Sequence, residues 1–107
     1  MAEIVRISTD HELYPQECGL REQVLLGPIG YDMDRFRREF SGMEERFEHF
    51  VAVVRQSAGP RVIGCATLLA AYPKDGVGKL MQMAVDPQRQ GEGLGRRLVV
   101  AVESRAF

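Results

Sequence analysis

Gln90-Gly91-Glu92-Gly93-Leu94-Gly95 sets glycine at every second position between an apolar run, Met83-Ala84-Val85, and an amphipathic run that begins at Leu94. Such a turn suits one kind of chemistry. Glycine permits a sharp bend and lets a phosphate approach the main chain with no Cβ in the way. The unpaired amides that open a helix then meet phosphate oxygens at the positive end of the helix. Gln90 adds a side-chain donor, and Arg89, Arg96 and Arg97 can place charge at the rim. Successive helical positions point in different directions, so the three arginines are not all assigned to a ligand. Spacing separates this turn from other phosphate sites. The chain has no GxxxxGK followed by Ser or Thr, as a Walker A loop needs. GEGLG is too compact for the GxGxxG of a dinucleotide fold, and no clear βαβ unit precedes it.

Periodicity predicts the elements that must position the turn. Alternation at residues 4–8 suits a first strand. Asp10 offers a cap to a helix over residues 11–26, with Leu13, Glu17, Leu20 and Val24 on one face. Gly27 to Gly30 breaks that pattern. Asp34 is the expected cap of a second helix through Phe40, with Phe36 and Phe40 on one face. Residues 50–54 and 61–71 read as strands joined by a five-residue hairpin loop over residues 56–60. A turn over residues 72–76 leads to a strand at residues 77–85, which Asp86-Pro87 ends. Leu94, Leu98 and Val102 recur at i, i+4 and i+8 and give the last helix a buried stripe. The expected fold class is α+β (mixed α/β), a mostly antiparallel sheet flanked by helices.

The strand, glycine turn and helix together resemble the Gcn5-related N-acetyltransferase (GNAT) family. Its motif of Gln or Arg, two variable residues, Gly, one variable residue, and Gly or Ala is matched here by Gln90, Gly93 and Gly95. Met83-Ala84-Val85-Asp86-Pro87 resembles the family's fourth strand and its exit. Residues 4–7, 20–25, 49–54 and 61–69 resemble its earlier elements. The resemblance implies a GNAT-like acyl-CoA N-acyltransferase fold and acetyl-CoA as cosubstrate. It implies that backbone groups around Met83, Ala84 and Val85 bind the pantetheine arm. It further implies that Arg89, Gln90, Gly91, Glu92, Gly93, Leu94, Gly95 and Arg96 surround the pyrophosphate. The implied reaction moves an acetyl group to a primary amine of a small acceptor, with a fourth-strand amide stabilising the oxyanion. Some family members carry a glutamate base six residues before the position of Val85; here that position is Lys79, so no catalytic residue is assigned. The family continues beyond its third main helix, and a tyrosine proton donor used there has no counterpart here. Residues 1–107 are therefore expected to form a single, partial acetyltransferase domain that works as a homo-oligomer or lacks its C-terminal half. A noncatalytic CoA-binding or assembly module is the alternative.

Composition bounds the remainder. With 107 residues the chain suits one small domain. Fourteen basic residues against 15 acidic ones leave a formal charge of -1, which argues against nucleic acid or anionic lipid as a partner. The amino terminus lacks the layout of a secretion signal, and no apolar run is long enough to span a bilayer, so a cytoplasmic location is expected. Cys18 and Cys65 match no metal spacing and read as two reduced thiols, with Cys65 buried on its strand. No metal is expected. Phe36, Phe40, Phe47 and Phe50 read as core or interface, Glu44, Glu45 and Glu48 as a solvated charge run, and His49 as a strand-edge residue. Met81 and Met83 are expected on one face of their strand, with Leu80 and Ala84 on the other.

Overall fold

The computed structural model describes residues 2–70 and 78–106. Four antiparallel strands, β1 (Glu3–Ile7), β2 (Glu48–Gln56), β3 (Gly59–Ala70) and β4 (Gly78–Val85), lie side by side in chain order. Three helices separate β1 from β2: α1 (Tyr14–Arg21), α2 (Met33–Glu39) and α3 (Met43–Arg46); α4 (Leu94–Ala106) follows β4. This is the mixed α/β fold that the sequence pattern implies, a four-stranded antiparallel sheet with helices on both faces.

Two-sided cover explains why β2 and β3 are apolar almost throughout rather than at alternate positions. Along β2, Val51 and Val53 point to the side of α1 and α2, where they meet Leu13, Cys18, Phe36 and Phe47. Phe50 and Ala52 point to the other side and meet the α4 stripe of Leu94, Leu98 and Val102, all buried as their spacing predicts. The two faces therefore have separate cores, with the sheet as the wall between them.

Several local expectations are corrected. The long first helix begins at Tyr14 with Pro15 in its opening turn, where a missing N–H costs nothing. Asp10 does not cap it, because its carboxylate is taken by the Ser8 hydroxyl. From Glu22 to Leu26 the helix widens into a π turn, then tightens into a 3-10 turn at Gly27–Ile29. Asp32, not Asp34, caps α2 by accepting the Arg35 N–H at 2.8 Å. The helix α3 was not expected. The β2–β3 hairpin pairs Gln56 with Gly59, so only Ser57 and Ala58 lie between the paired ends, a tighter turn than the five-residue loop. Phe36, Phe47 and Phe50 are core residues, whereas Phe40 is 45% exposed. The expected turn at residues 72–76 lies outside the described residues.

Strand β4 carries the correction that matters most for the site. Thr67 pairs with Gln82 and Leu68 with Leu80, so Met81 is an extra residue bulged out of the ladder. A bulge resets the two-residue period. Met81 consequently packs on the α1 side with Ala84, and Met83 on the α4 side, instead of sharing one face.

Candidate functional site

At the end of β4 the chain leaves the sheet through Asp86, whose carboxylate accepts the Gln88 N–H at 2.9 Å and caps a single 3-10 turn, Pro87–Arg89. The glycine turn follows. Gly91 and Gly93 have φ of 93° and 79°, values that a residue with a Cβ rarely adopts, and open space surrounds both. The requirement for glycine there is conformational, and it leaves the main chain uncovered on the side where α4 begins. Helix α4 starts at Leu94, within the glycine run as expected, with Gly95 inside its first turn. Arg97 donates its N–H back to the Gly93 carbonyl at 3.1 Å. The amides ahead of it, of Leu94, Gly95 and Arg96, are the ones that helix geometry leaves without intrahelical acceptors.

The strand edge faces the same space. The Asp86 N–H donates to the Ile63 carbonyl of β3 at 2.9 Å, and the Gln82 N–H donates to the Thr67 hydroxyl of β3 at 3.0 Å. Backbone direction alternates along a strand. The N–H and C=O groups of Met83 and Val85 therefore point away from β3, along an edge that no described strand covers.

Nine of the eleven residues expected around the cofactor line one cleft of about 450 Å³: Met83, Ala84, Val85, Arg89, Gln90, Gly91, Gly93, Leu94 and Gly95. Glu92 and Arg96 do not line it. Glu92 turns to a neighbouring groove and pairs loosely with Arg89 at 3.8 Å. Arg97 reaches the Ala2 carbonyl at 2.8 Å, which binds the amino terminus to α4. Val24, from the π turn, also lines the cleft. Sequence reasoning missed it because a helical face gives no sign of where a π turn will aim one residue.

A second polar cluster lies on the α1 side of the sheet, and it overturns two expectations. Glu44 is 2% exposed and His49 1% exposed, neither a solvated charge nor a strand-edge group, since β2 is an inner strand. Arg21, fully buried, forks onto Glu44 with Nη1–Oε1 at 2.7 Å and Nη2–Oε2 at 2.8 Å. Its Nη1 also donates to Glu17 Oε2 at 3.0 Å, and its Nε donates to Gln82 Oε1 on β4 at 2.8 Å. His49 Nδ1 lies 2.7 Å from Glu17 Oε2, and Nε2 lies 2.8 Å from the Glu44 carbonyl. Acceptors at both ring nitrogens call for a proton on each, so the ring is an imidazolium. Arg21 and His49 then balance Glu17 and Glu44. The Tyr14 hydroxyl donates to Glu44 Oε1 at 2.5 Å.

The electrostatics follow from that balance. Burial pushes the Glu44 carboxyl up, but the Arg21 hydrogen bonds and charge outweigh it and hold Glu44 below the usual carboxylate range. Burial pushes His49 down, and its bond to Glu17 more than compensates, leaving it above the ordinary histidine value. Burial and the bond to Glu44 raise the Tyr14 phenol far out of reach of neutral chemistry. One ligand atom from each of Glu17, Glu44 and His49 lies within 4.8 Å of the others, a spacing a metal could use, but Arg21 already engages both carboxylates. Cys18 and Cys65 are free and buried, and burial pushes the Cys65 thiol up to about 12. No helix among the described residues is long and apolar enough to cross a membrane.

Comparison with known proteins adds a consistent set of relatives. The sequence profile of the Acetyltransferase (GNAT) family matches residues 11–107. An amino-acid acetyltransferase of Ralstonia nicotianae is 35% identical over 82 residues, which cover 77% of this chain and 17% of the relative. Among solved structures, an IAA acetyltransferase from Bacillus cereus superposes with a TM-score of 0.64 at 25% identity, covering 99% of this chain and 58% of its own. An acetyltransferase of Bacillus subtilis, solved in complex with CoA, has the same fold with a TM-score of 0.64 at 21% identity, with coverage of 99% and 58%. The chain thus spans less than two thirds of the length of each of these relatives.

Proposed function

The chain belongs to the acetyltransferase (GNAT) family, and from that membership we propose that residues 1–107 act as one domain that binds acetyl-CoA and transfers its acetyl group to the primary amine of a small acceptor. The observation that carries this reading is the meeting, in one cleft, of the outward-facing edge of β4 and the open amides at the start of α4. The first supplies a ladder of donors and acceptors for an amide-bearing arm, and the second supplies donors for a pyrophosphate. That a relative of the same fold was solved with CoA bound is in keeping with it.

The chemistry assigned to the site is direct transfer. The acceptor amine attacks as the neutral base, so its proton must leave to water or to a side chain. As the nitrogen adds to the thioester carbonyl, negative charge gathers on the carbonyl oxygen. The Met83 N–H, the first outward-facing amide after the bulge, is the donor we assign to that oxygen. The intermediate then collapses, the C–S bond breaks, and CoA leaves as its thiol once it takes up a proton. Arg89 and Gln90 sit where they can meet phosphate oxygens beside the amides of α4.

The test is release of free CoA thiol from acetyl-CoA in the presence of a panel of small primary amines, amino acids included. Turnover with at least one amine above the hydrolysis background is the expected result. Saturable acetyl-CoA binding with no transfer to any amine would replace this reading with that of a noncatalytic CoA-binding module.

A further inference from the structure

The buried cluster on the α1 side has one contact that its own stability does not explain. Arg21 is already matched by Glu17 and Glu44, yet its Nε reaches across to the side chain of Gln82 on β4. Buried ion pairs seldom stabilise a fold more than well-packed apolar groups of similar size, so a retained cluster invites a question about what it holds in place. Here it holds the residue next to the bulge.

Gln82 is fixed twice. Its side chain accepts from Arg21 at 2.8 Å, which also settles its orientation, because a guanidinium only donates and must face the carboxamide oxygen. Its main-chain N–H, displaced from the ordinary ladder where Met81 bulges out, donates to the Thr67 hydroxyl at 3.0 Å. Thr67 is fully buried on β3, so its hydroxyl stands in for the backbone acceptor that the bulge removes. The peptide plane that follows Gln82 carries the Met83 N–H. With Gln82 held at both its amide and its side chain, that plane has little freedom left.

We propose that Thr67 and Arg21 are positioning residues that act through Gln82 to fix the bulge of β4 and aim the Met83 N–H at the acyl carbonyl of acetyl-CoA. The proposal rests on the acetyl-CoA reading above and adds to it a division of labour. The glycine turn and α4 hold the CoA moiety, and the Thr67–Gln82–Arg21 contacts on the far side of the sheet set recognition of the acetyl group. The two are separable, since only acetyl-CoA carries the carbonyl that Met83 would meet.

The experiment is calorimetric titration of CoA and of acetyl-CoA into the wild-type chain and into Thr67→Val, which keeps the shape of Thr67 and removes the hydroxyl, with Thr67→Ser as the conservative control. The expected result is a loss of affinity for acetyl-CoA about three- to tenfold larger than the loss for CoA in Thr67→Val, the value of one hydrogen bond, and recovery in Thr67→Ser. Gln82→Met, at a half-buried position, repeats the measurement if circular dichroism shows that Thr67→Val does not fold. Equal losses for the two ligands, or no loss, in a folded variant would overturn the positioning role and leave the acetyl-CoA reading standing. A folded wild-type chain that binds neither ligand would overturn both.

Discussion

The glycine turn and the buried cluster lie on opposite sides of the same strand, and they are built on opposite principles. The turn at residues 91–93 is exposed, with open space around both of its glycines, and its shape comes from their positive φ. The cluster of Glu17, Arg21, Glu44 and His49 is sealed from solvent and depends on four side chains drawn from α1, α3 and β2. The proposed binding turn and the scaffold beneath it therefore tolerate change in different ways. Damage to the turn should remove a ligand and spare the fold, whereas damage to the cluster should remove the fold.

The largest effect expected is that of Arg21→Met. It leaves Glu44 buried without its matching cation and Glu17 with His49 alone, at a cost of about 3–5 kcal/mol, read as a drop in the midpoint of denaturant unfolding. A cost below about 1 kcal/mol would show that the cluster relaxes and is not a unit. Gly93→Val is the counterpart in the turn. Forcing a β-branched residue into a φ near 79° costs about 1–3 kcal/mol, so the protein still folds. Its affinity for CoA should nevertheless fall about tenfold or more, as expected when even one hydrogen bond to a charged phosphate is lost.

pH separates the two regions again. Glu44 sits below its ordinary value of 4.5 in the folded chain, so its contribution is present above 4.5 and is lost as pH falls through the lowered value. His49 sits above its ordinary value of 6.5, so its contribution is full below 6.5 and is lost as pH rises through the raised value. Thermal stability should therefore be greatest between those two pH values and decline on both sides. Gly93→Val should keep that profile, and His49→Gln should flatten its alkaline limb. The smallest effect is at the rim of the cleft. Arg89→Ala breaks only a loose pair with Glu92, worth less than about 1 kcal/mol. It should weaken CoA binding more at low salt than at high salt, where such charges are screened.

The same contrast governs what the sequence could tell. Gly91, Gly93 and Gly95 act through local backbone geometry, and Leu94, Leu98 and Val102 through helical spacing, so both were legible in a stretch of about a dozen residues. The cluster was not. Glu44 sits in a charged run that reads as surface, and only the fold brings it to Arg21, 23 residues away in the chain. His49 reads as a strand-edge residue because nothing local shows that α1 and α3 close over it on an inner strand. The bulge at Met81 escaped for a related reason: an extra residue in β4 is defined by its register against β3, which alternation within one strand does not contain. Val24 entered the cleft through a π turn whose register also depends on neighbours. The expected α2 cap, Asp34, lies inside the helix, and only the backbone shows that Asp32 stands at its start.

The central claim is that the space between β4 and the start of α4 holds acetyl-CoA. Isothermal titration of acetyl-CoA into the wild-type chain and into Gly93→Val, each checked for folding by circular dichroism, tests it most directly. The account predicts saturable binding by the wild type and a loss of about tenfold or more in the folded variant. A folded wild-type chain that binds no acetyl-CoA, or a variant that binds it equally well, would contradict the account.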